Sequence, residues 1–429
     1  MKKFIAMQIS EVRRGNYSVL TSKIKRFLWI LLRSPLYVLA LPIVLVLRII
    51  RPWMLVRFNS LMSSRIGHFA ANIELYMCEH DANINRPDQR HLDLFYFGGW
   101  PICNKQLAKM WKRTIHIWPA WIIAPIVRIN RLIPNGAVHE IGNNTQNDRD
   151  VHGLLDKTPP HLSFTEKEEV KGQANLISMG IPLGAKFICL IVRDSAYLEN
   201  QLKKESGWSY HDYRDSDVKN YVLVAEALAD LGYYVIRMGV KVHEAINSDH
   251  PLIIDYATNG MHNDFMDIYL GAKCAFCLSN STGFDAVPSI FRRPIVYANF
   301  VPVEYLPTFS NRLLGIFKHH FSIKSDRNLS LREIFMNDAG SPLISLIHES
   351  KDILLIENTP EEIRDVAIEM HERINGTWQL HDDDELLQQK FWEIFPVDAV
   401  DISKGVPLHG LIHSRFGASF LRNNQWWLE

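Results

Sequence analysis

The sequence predicts an α/β protein with parallel sheets arranged as two Rossmann-like domains, and three observations carry that expectation. Short apolar runs such as Lys186-Phe-Ile-Cys-Leu-Ile-Val192 alternate with stretches whose apolar residues recur at helical spacing, the pattern of doubly wound sheets. A chain of 429 residues is too long for one ordinary core, so two domains facing a cleft are expected. The first 57 residues are basic and apolar, and they stand apart from everything that follows.

In that amino-terminal segment, Phe27 to Ile50 is strongly apolar but is broken by Arg33, Pro35, Pro42 and Arg48. The longest charge-free piece, Ser34 to Leu47, is shorter than the roughly 20 residues a spanning helix needs. Up to Arg65 the cations are Lys2, Lys3, Arg13, Arg14, Lys23, Lys25, Arg26, Arg33, Arg48, Arg51, Arg57 and Arg65, against the single acid Glu11. Cationic flanks, with Trp29 and Trp53 near the two ends, describe an element lying in the headgroup layer of an anionic membrane. The alternative is a hydrophobic helix packed on the protein itself. A cleavable signal peptide fits poorly, because the apolar core starts late and no small-residue cleavage site follows.

Leu92 to Phe97 and Thr114 to Trp118 read as strands of a first domain spanning 58–160, and the polar stretch Gly142 to Pro160 reads as its linker. A second domain, 161–376, is clearer. Strand Lys186 to Val192 is followed by Val218, Tyr221, Val222, Ala225, Leu228 and Leu231 at helical spacing, closed by Gly232. Strands at Tyr233 to Ile236, Leu252 to Asp255, Cys274 to Leu278 and Ile295 to Ala298 alternate with helices around Phe265 to Leu270 and from Gly283. Thr359-Pro-Glu-Glu362 combines an N-cap, a first-turn proline and a capping-box Glu, and its helix stops before Gly376. Residues 377–429 form a helical extension, in which Asp382 to Glu385 reads as a solvated acidic run.

Lys+Arg and Asp+Glu balance at 47 each, which argues against a nucleic-acid binder. The five cysteines form no disulfide framework and suit a reducing compartment. Cys274 and Cys277 lie in an apolar run with no second pair to complete a zinc site, so they read as buried thiols. The chain lacks G-x-G-x-x-G, the phosphate-loop motif and the hydrolase elbow G-x-S-x-G.

Chemistry in such sheets sits in the turns leaving the strands. Arg193-Asp-Ser-Ala-Tyr197 follows one strand, and Arg193 offers bidentate donors to phosphate oxygens, with an ion pair to Asp194 as the alternative. Ser279-Asn-Ser-Thr-Gly283 follows another and caps the next helix, so Ser279, Asn280, Ser281, Thr282 and Gly283 form an anion site suited to a diphosphate. Arg214 and Asp217, in the run Tyr210 to Asp217, line either a sugar pocket or a solvated helix start.

These residues resemble bacterial glycosyltransferases of surface-polysaccharide clusters, which are distantly like the lipopolysaccharide heptosyltransferases. The pieces that carry the resemblance are Arg65-Ile-Gly-His68, Tyr213 to Tyr221, Arg237-Met-Gly239, Ser279 to Gly283 with Pro294-Ile-Val-Tyr297, Leu329 to Ile334, the Thr359 helix and Phe416 to Leu421. They span nearly the whole chain after residue 57. The resemblance implies a GT-B fold with the donor nucleotide in the second domain, the acceptor in the first, and no metal or other cofactor. It also implies a catalytic base after the glycine of the first turn. Heptosyltransferases have Asp there, and this chain has His68, with Glu74 as a neighbour. A helix start disfavours the imidazolium and suits a base, with a cap of the following helix as the alternative role of His68.

The expected reaction is therefore inverting transfer of a sugar from a nucleotide-sugar donor to a carbohydrate or lipid-linked acceptor, at the cytoplasmic face of the inner membrane. Its rivals are a nucleotide-sugar epimerase and a non-catalytic membrane scaffold.

Overall fold

The computed structural model describes residues 35–142, 148–194, 213–341, 352–401 and 405–429. Residues 1–34, with Trp29 and Arg33, lie outside the described residues, as do 143–147 of the linker and Ser195 to Asp212 of the loop after Arg193. In chain order the described elements are α1 (residues 35–50), β1 (Leu55–Leu61), α2 (Ile66–Asp81), β2 (His91–Phe97), α3 (Lys105–Thr114), α4 (Ala120–Leu132) and α5 (Glu166–Ser178). They continue with β3 (Phe187–Ile191), α6 (Val222–Asp230), β4 (Tyr234–Met238), β5 (Ile253–Asp255), α7 (Asp264–Lys273), β6 (Cys277–Ser279), α8 (Ala286–Ile290), β7 (Ile295–Phe300) and β8 (Leu313–Phe317). The remainder are β9 (His319–Ser322), β10 (Arg327–Asn328), α9 (Leu331–Met336), β11 (Ile353–Ile356), α10 (Pro360–Asn375), α11 (Asp384–Ile394), β12 (Val400–Asp401), β13 (Val406–Pro407), β14 (Arg415–Phe416) and α12 (Ala418–Asn423).

The chain divides into two compact units, one of Met1–Leu61, Pro87–Gly98 and Ile115–Gly142, the other of Met62–Arg86, Gly99–Thr114 and Asn143–Glu429. These bounds differ from the continuous domains drawn from sequence, because α2 and α3 belong to the second unit. In the smaller unit β1 and β2 pair in parallel from Leu55↔His91 to Leu61↔Phe97. The register sets Arg57 beside Asp93, and the buried guanidinium donates to both carboxylate oxygens at 2.8 and 2.6 Å, so neither buried charge is left unpaired. Helices α1 and α4 cover the pair: Ala40 and Val44 meet Val56, Phe58, Ile123, Ile126 and Val127 in one apolar cluster. The expected strand Thr114 to Trp118 is reduced to a single bridge, Phe95↔Ile117, because α3 runs on to Thr114.

The larger unit holds a seven-stranded sheet ordered β14-β8-β7-β6-β3-β4-β5, every neighbouring pair parallel. Phe187-Ile-Cys-Leu-Ile191 is apolar throughout because a central parallel strand is covered on both faces. The Thr359 reading holds in detail: the hydroxyl accepts from the Glu362 N–H at 3.2 Å, the Glu362 carboxylate accepts from the Thr359 N–H at 3.0 Å, and Gly376 ends α10 at φ 71°.

Three expectations change. Cys277 stands in β6, while Cys274 caps α7, both buried as thiols. The acidic run Asp382 to Glu385 is not wholly solvated, for Asp384 is buried against Arg422 and Glu385 pairs with Arg415 at 2.5 Å. The carboxy-terminal extension also supplies an edge strand: Arg415 and Phe416 pair with Leu314 and Gly315, and Phe416 joins Phe317, Phe391 and Trp427 in an aromatic cluster.

Candidate functional site

The chain runs from β3 outward to β4 and β5, then returns to lay β6 on the other side of β3. That reversal is the topological switch point, the place where open parallel sheets leave room for a ligand beyond their carboxyl ends. Arg193 leaves β3 there and Ser279 ends β6 there.

Asn280 joins the two turns. Its side-chain oxygen accepts from the Arg193 N–H at 2.9 Å, and its amide donates to the Arg214 carbonyl at 3.1 Å. The Arg193 guanidinium donates to Asp215 at 3.2 Å, Arg214 donates to the Tyr213 hydroxyl at 2.9 Å, and the buried Lys318 amine donates to the Asp215 carbonyl at 2.6 Å. Burial, and then the neighbouring charge of Arg214, lower the pKa of Arg193; burial lowers that of Lys318, against the pull of Glu357 and Asp215. Cations held together under that strain favour an arriving anion. Lys318 was not anticipated, since a lone cation after an apolar strand belongs to no motif.

The Ser279 to Gly283 turn is built by one buried carboxylate. Asp285 accepts from the Ser279 hydroxyl at 2.5 Å and from the Thr282 N–H at 2.8 Å, while the Thr282 hydroxyl lies 3.2 Å from it and accepts from the Phe284 N–H. Burial pushes the Asp285 carboxyl up to about 7, against those hydrogen bonds. The hydroxyls of Ser279 and Thr282 thus shape the turn rather than simply waiting for a ligand. Ser281 adopts φ 70°, a left-handed conformation uncommon for a serine.

The first turn comes to the same place. A Cβ added to Gly67 would lie 3.1 Å from the Gly283 Cα, and one added to Gly283 would lie 3.3 Å from the Gly67 nitrogen. Only two glycines let these backbones touch, and the contact sets Arg65-Ile-Gly-His68 against Ser279 to Gly283 within one unit. His68, in the first turn of α2, places Nδ1 3.4 Å from the Asn72 side-chain oxygen and 3.8 Å from Asp148.

The other residues singled out from sequence are placed differently. Asp194 accepts from the His243 N–H at 2.9 Å, and Asp217 caps a short turn by accepting from the Lys219 N–H at 2.9 Å. With Ser216 and the buried Arg237 they line a cavity of about 220 Å³. Among the described residues Arg237 Nε and Nη1 make no hydrogen bond, and Asp194 and Asp255 stand 3.9 and 3.8 Å away.

Glu74 is not brought to His68. It is fully buried on α2, accepting from Arg292 at 2.6 Å and lying 3.1 Å from His161 Nδ1, whose Nε2 is 3.0 Å from Asp81. Burial opposes the His161 imidazolium, but Cys78, Glu74 and Asp81 outweigh it and raise its pKa to about 10. Among the described residues, Glu74, Cys78 and His161 have metal-ligand atoms close enough to share an ion. The Arg292 guanidinium, 2.6 Å from Glu74 and 3.6 Å from Cys78, already brings a positive charge to that position.

No family model matches the chain, and no curated protein matches it. Solved structures to which it is similar include ADP-heptose lipopolysaccharide heptosyltransferase II of E. coli, 15% identical over 61% of this chain and 90% of the other, at TM-score 0.38. A family 9 glycosyl transferase of Veillonella parvula is 12% identical over 57% and 80%, at TM-score 0.36. The E. coli heptosyltransferase WaaC with ADP is 10% identical over 61% and 91%, at TM-score 0.32. All three likenesses are distant.

Proposed function

We propose that the protein is a glycosyltransferase of the GT-B type, moving a sugar from a nucleotide-sugar donor to a carbohydrate or lipid-linked acceptor of a surface polysaccharide. One observation carries this reading: Arg193 and the Ser279 to Gly283 turn meet at the carboxyl edge of one parallel sheet, at its switch point, and the Gly67 backbone next to His68 packs against Gly283. An anion site near an imidazole suits the attack of an alcohol with departure of a diphosphate.

In this account the acceptor hydroxyl gives its proton to His68 as its oxygen attacks the anomeric carbon. The bond to the leaving diphosphate breaks on the opposite face, which inverts the centre. Arg193 and the Gly283 N–H take up the charge on the departing oxygen, with Arg214 and Lys318 adding to the field, while the Ser281 and Thr282 N–H groups stay with Ser279 and Asp285 and hold the turn in shape. Asp148 and Asn72 orient the imidazole, and Asp194 and Asp217 line the neighbouring donor cavity. Glu74 holds the fold around Arg292 instead of acting as base.

The test is turnover of a panel of nucleotide sugars with and without lipid-linked oligosaccharide acceptors, followed by mass spectrometry of both products. The reading expects acceptor-dependent release of nucleoside diphosphate. Acceptor-independent conversion of the donor would instead assign an epimerase, and absence of any nucleotide binding would leave a scaffold.

A further inference from the structure

The smaller unit carries an outward helix face with the polarity of a surface helix reversed. On α1 the residues turned toward the protein include the polar ones: the Tyr37 hydroxyl meets Arg128, and Arg48 donates to the Pro134 carbonyl at 2.7 Å and to the Asn130 side chain at 3.0 Å. Only a narrow stripe through Ala40 and Val44 is buried. The rest of the circumference faces outward and is apolar, with Val38, Leu39, Val46 and Ile49 each more than half exposed and Trp53 beyond the end of the helix 72% exposed. A helix packed on a water-soluble surface turns its polar side outward, and a continuous apolar face of this kind marks an interaction site.

Charge selects the occupant. The outward face has no charged residue from Val38 to Leu47, whereas the sequence that precedes α1 contains Lys2, Lys3, Arg13, Arg14, Lys23, Lys25, Arg26 and Arg33 against Glu11 alone, and Arg51 follows the helix. Apolar residues bounded by cations and a tryptophan match the boundary between acyl chains and anionic headgroups. No described helix is long and apolar enough to cross a membrane. With Ala40 and Val44 packed along one side of α1 on the smaller unit, the opposite apolar side suits a helix lying in the plane of the layer.

We infer that the outward face of α1 seats in the headgroup layer of an anionic lipid monolayer and holds the smaller unit against a membrane surface. This inference stands independently of the catalytic reading.

The experiment is flotation of the full chain with vesicles of phosphatidylcholine alone and with about one third phosphatidylglycerol. The wild type is expected to float with the anionic vesicles and to be partly released by high salt. Leu39→Ser, Val46→Ser and Ile49→Ser combined should cut that binding by about tenfold or more, with the thermal midpoint and solution mass unchanged. Undiminished vesicle binding by the triple variant would overturn the inference. So would a triple variant that converts a wild-type dimer into a monomer, which would assign the face to a second copy. A fall in its thermal midpoint would also overturn it, because the face would then be covered by the chain itself.

Discussion

Replacing Gly67 with alanine tests whether the two turns must touch. Gly67 lies in the first turn of α2, where alanine normally gains up to about 1 kcal/mol over glycine from backbone entropy. Against that gain stands a new Cβ 3.1 Å from the Gly283 Cα and 3.2 Å from its carbonyl oxygen, both backbone atoms. The neighbouring backbone is pinned by Asp285 through Ser279 and Thr282, so it has little freedom to retreat. Overpacking of this kind typically costs about 1–3 kcal/mol, which outweighs the helix-propensity gain. Gly67→Ala should therefore lower stability by about 1 kcal/mol, equivalent to about one to two degrees in thermal midpoint for a chain of this size, and weaken nucleotide affinity as the Ser281 turn shifts. Calorimetric unfolding and nucleotide titration on the same preparation read both effects. A variant that is more stable than wild type and binds nucleotide equally well would refute the argument that this contact builds the site.

Three further predictions rest on the same geometry. Asp285→Ala leaves the Thr282 N–H and Ser279 hydroxyl without their acceptor and should cost about 2–4 kcal/mol by denaturant titration, while Asp285→Asn, which keeps an acceptor and the shape, should cost clearly less. The charged His161 contributes stability that is fully present below its unfolded pKa near 6.5 and is lost as pH rises through about 10. The wild-type thermal midpoint should then fall more steeply between neutral pH and that value than the midpoint of His161→Gln, and parallel curves would remove the Glu74–His161–Asp81 account. His68→Ala should lower turnover by about a hundredfold to ten-thousandfold with donor affinity retained, and a rate above about a tenth of wild type would place the base elsewhere.

Much of the larger unit was legible because its central strands are short, continuous apolar runs and its helices carry explicit caps, as at Thr359 and Glu362. Strand β8 was less visible because Gly315 interrupts Leu313 to Phe317, and β14 has only two residues, too few to show a period. The site turns were legible as strand-end motifs, but their meeting was not. The contact of Gly67 with Gly283 is a matter of absent side chains, and no local pattern announces it. Glu74 looked available because an acid on a helix is usually solvated; the arginine that buries it lies 218 residues further along the chain. Lys318 and Arg237 draw their character from burial among distant strands, which hydrophobic periodicity does not encode.

The central claim is that a nucleoside diphosphate sugar is held where Arg193 meets the Ser279 to Gly283 turn. Isothermal titration of nucleoside diphosphates into the wild type and into Arg193→Ala tests it most directly. The account predicts binding of at least one nucleoside diphosphate by the wild type and a loss of about tenfold or more in the variant, consistent with removing a charge-assisted contact, at unchanged thermal midpoint without ligand. Equal affinity in both proteins, or no binding to the wild type, would contradict it.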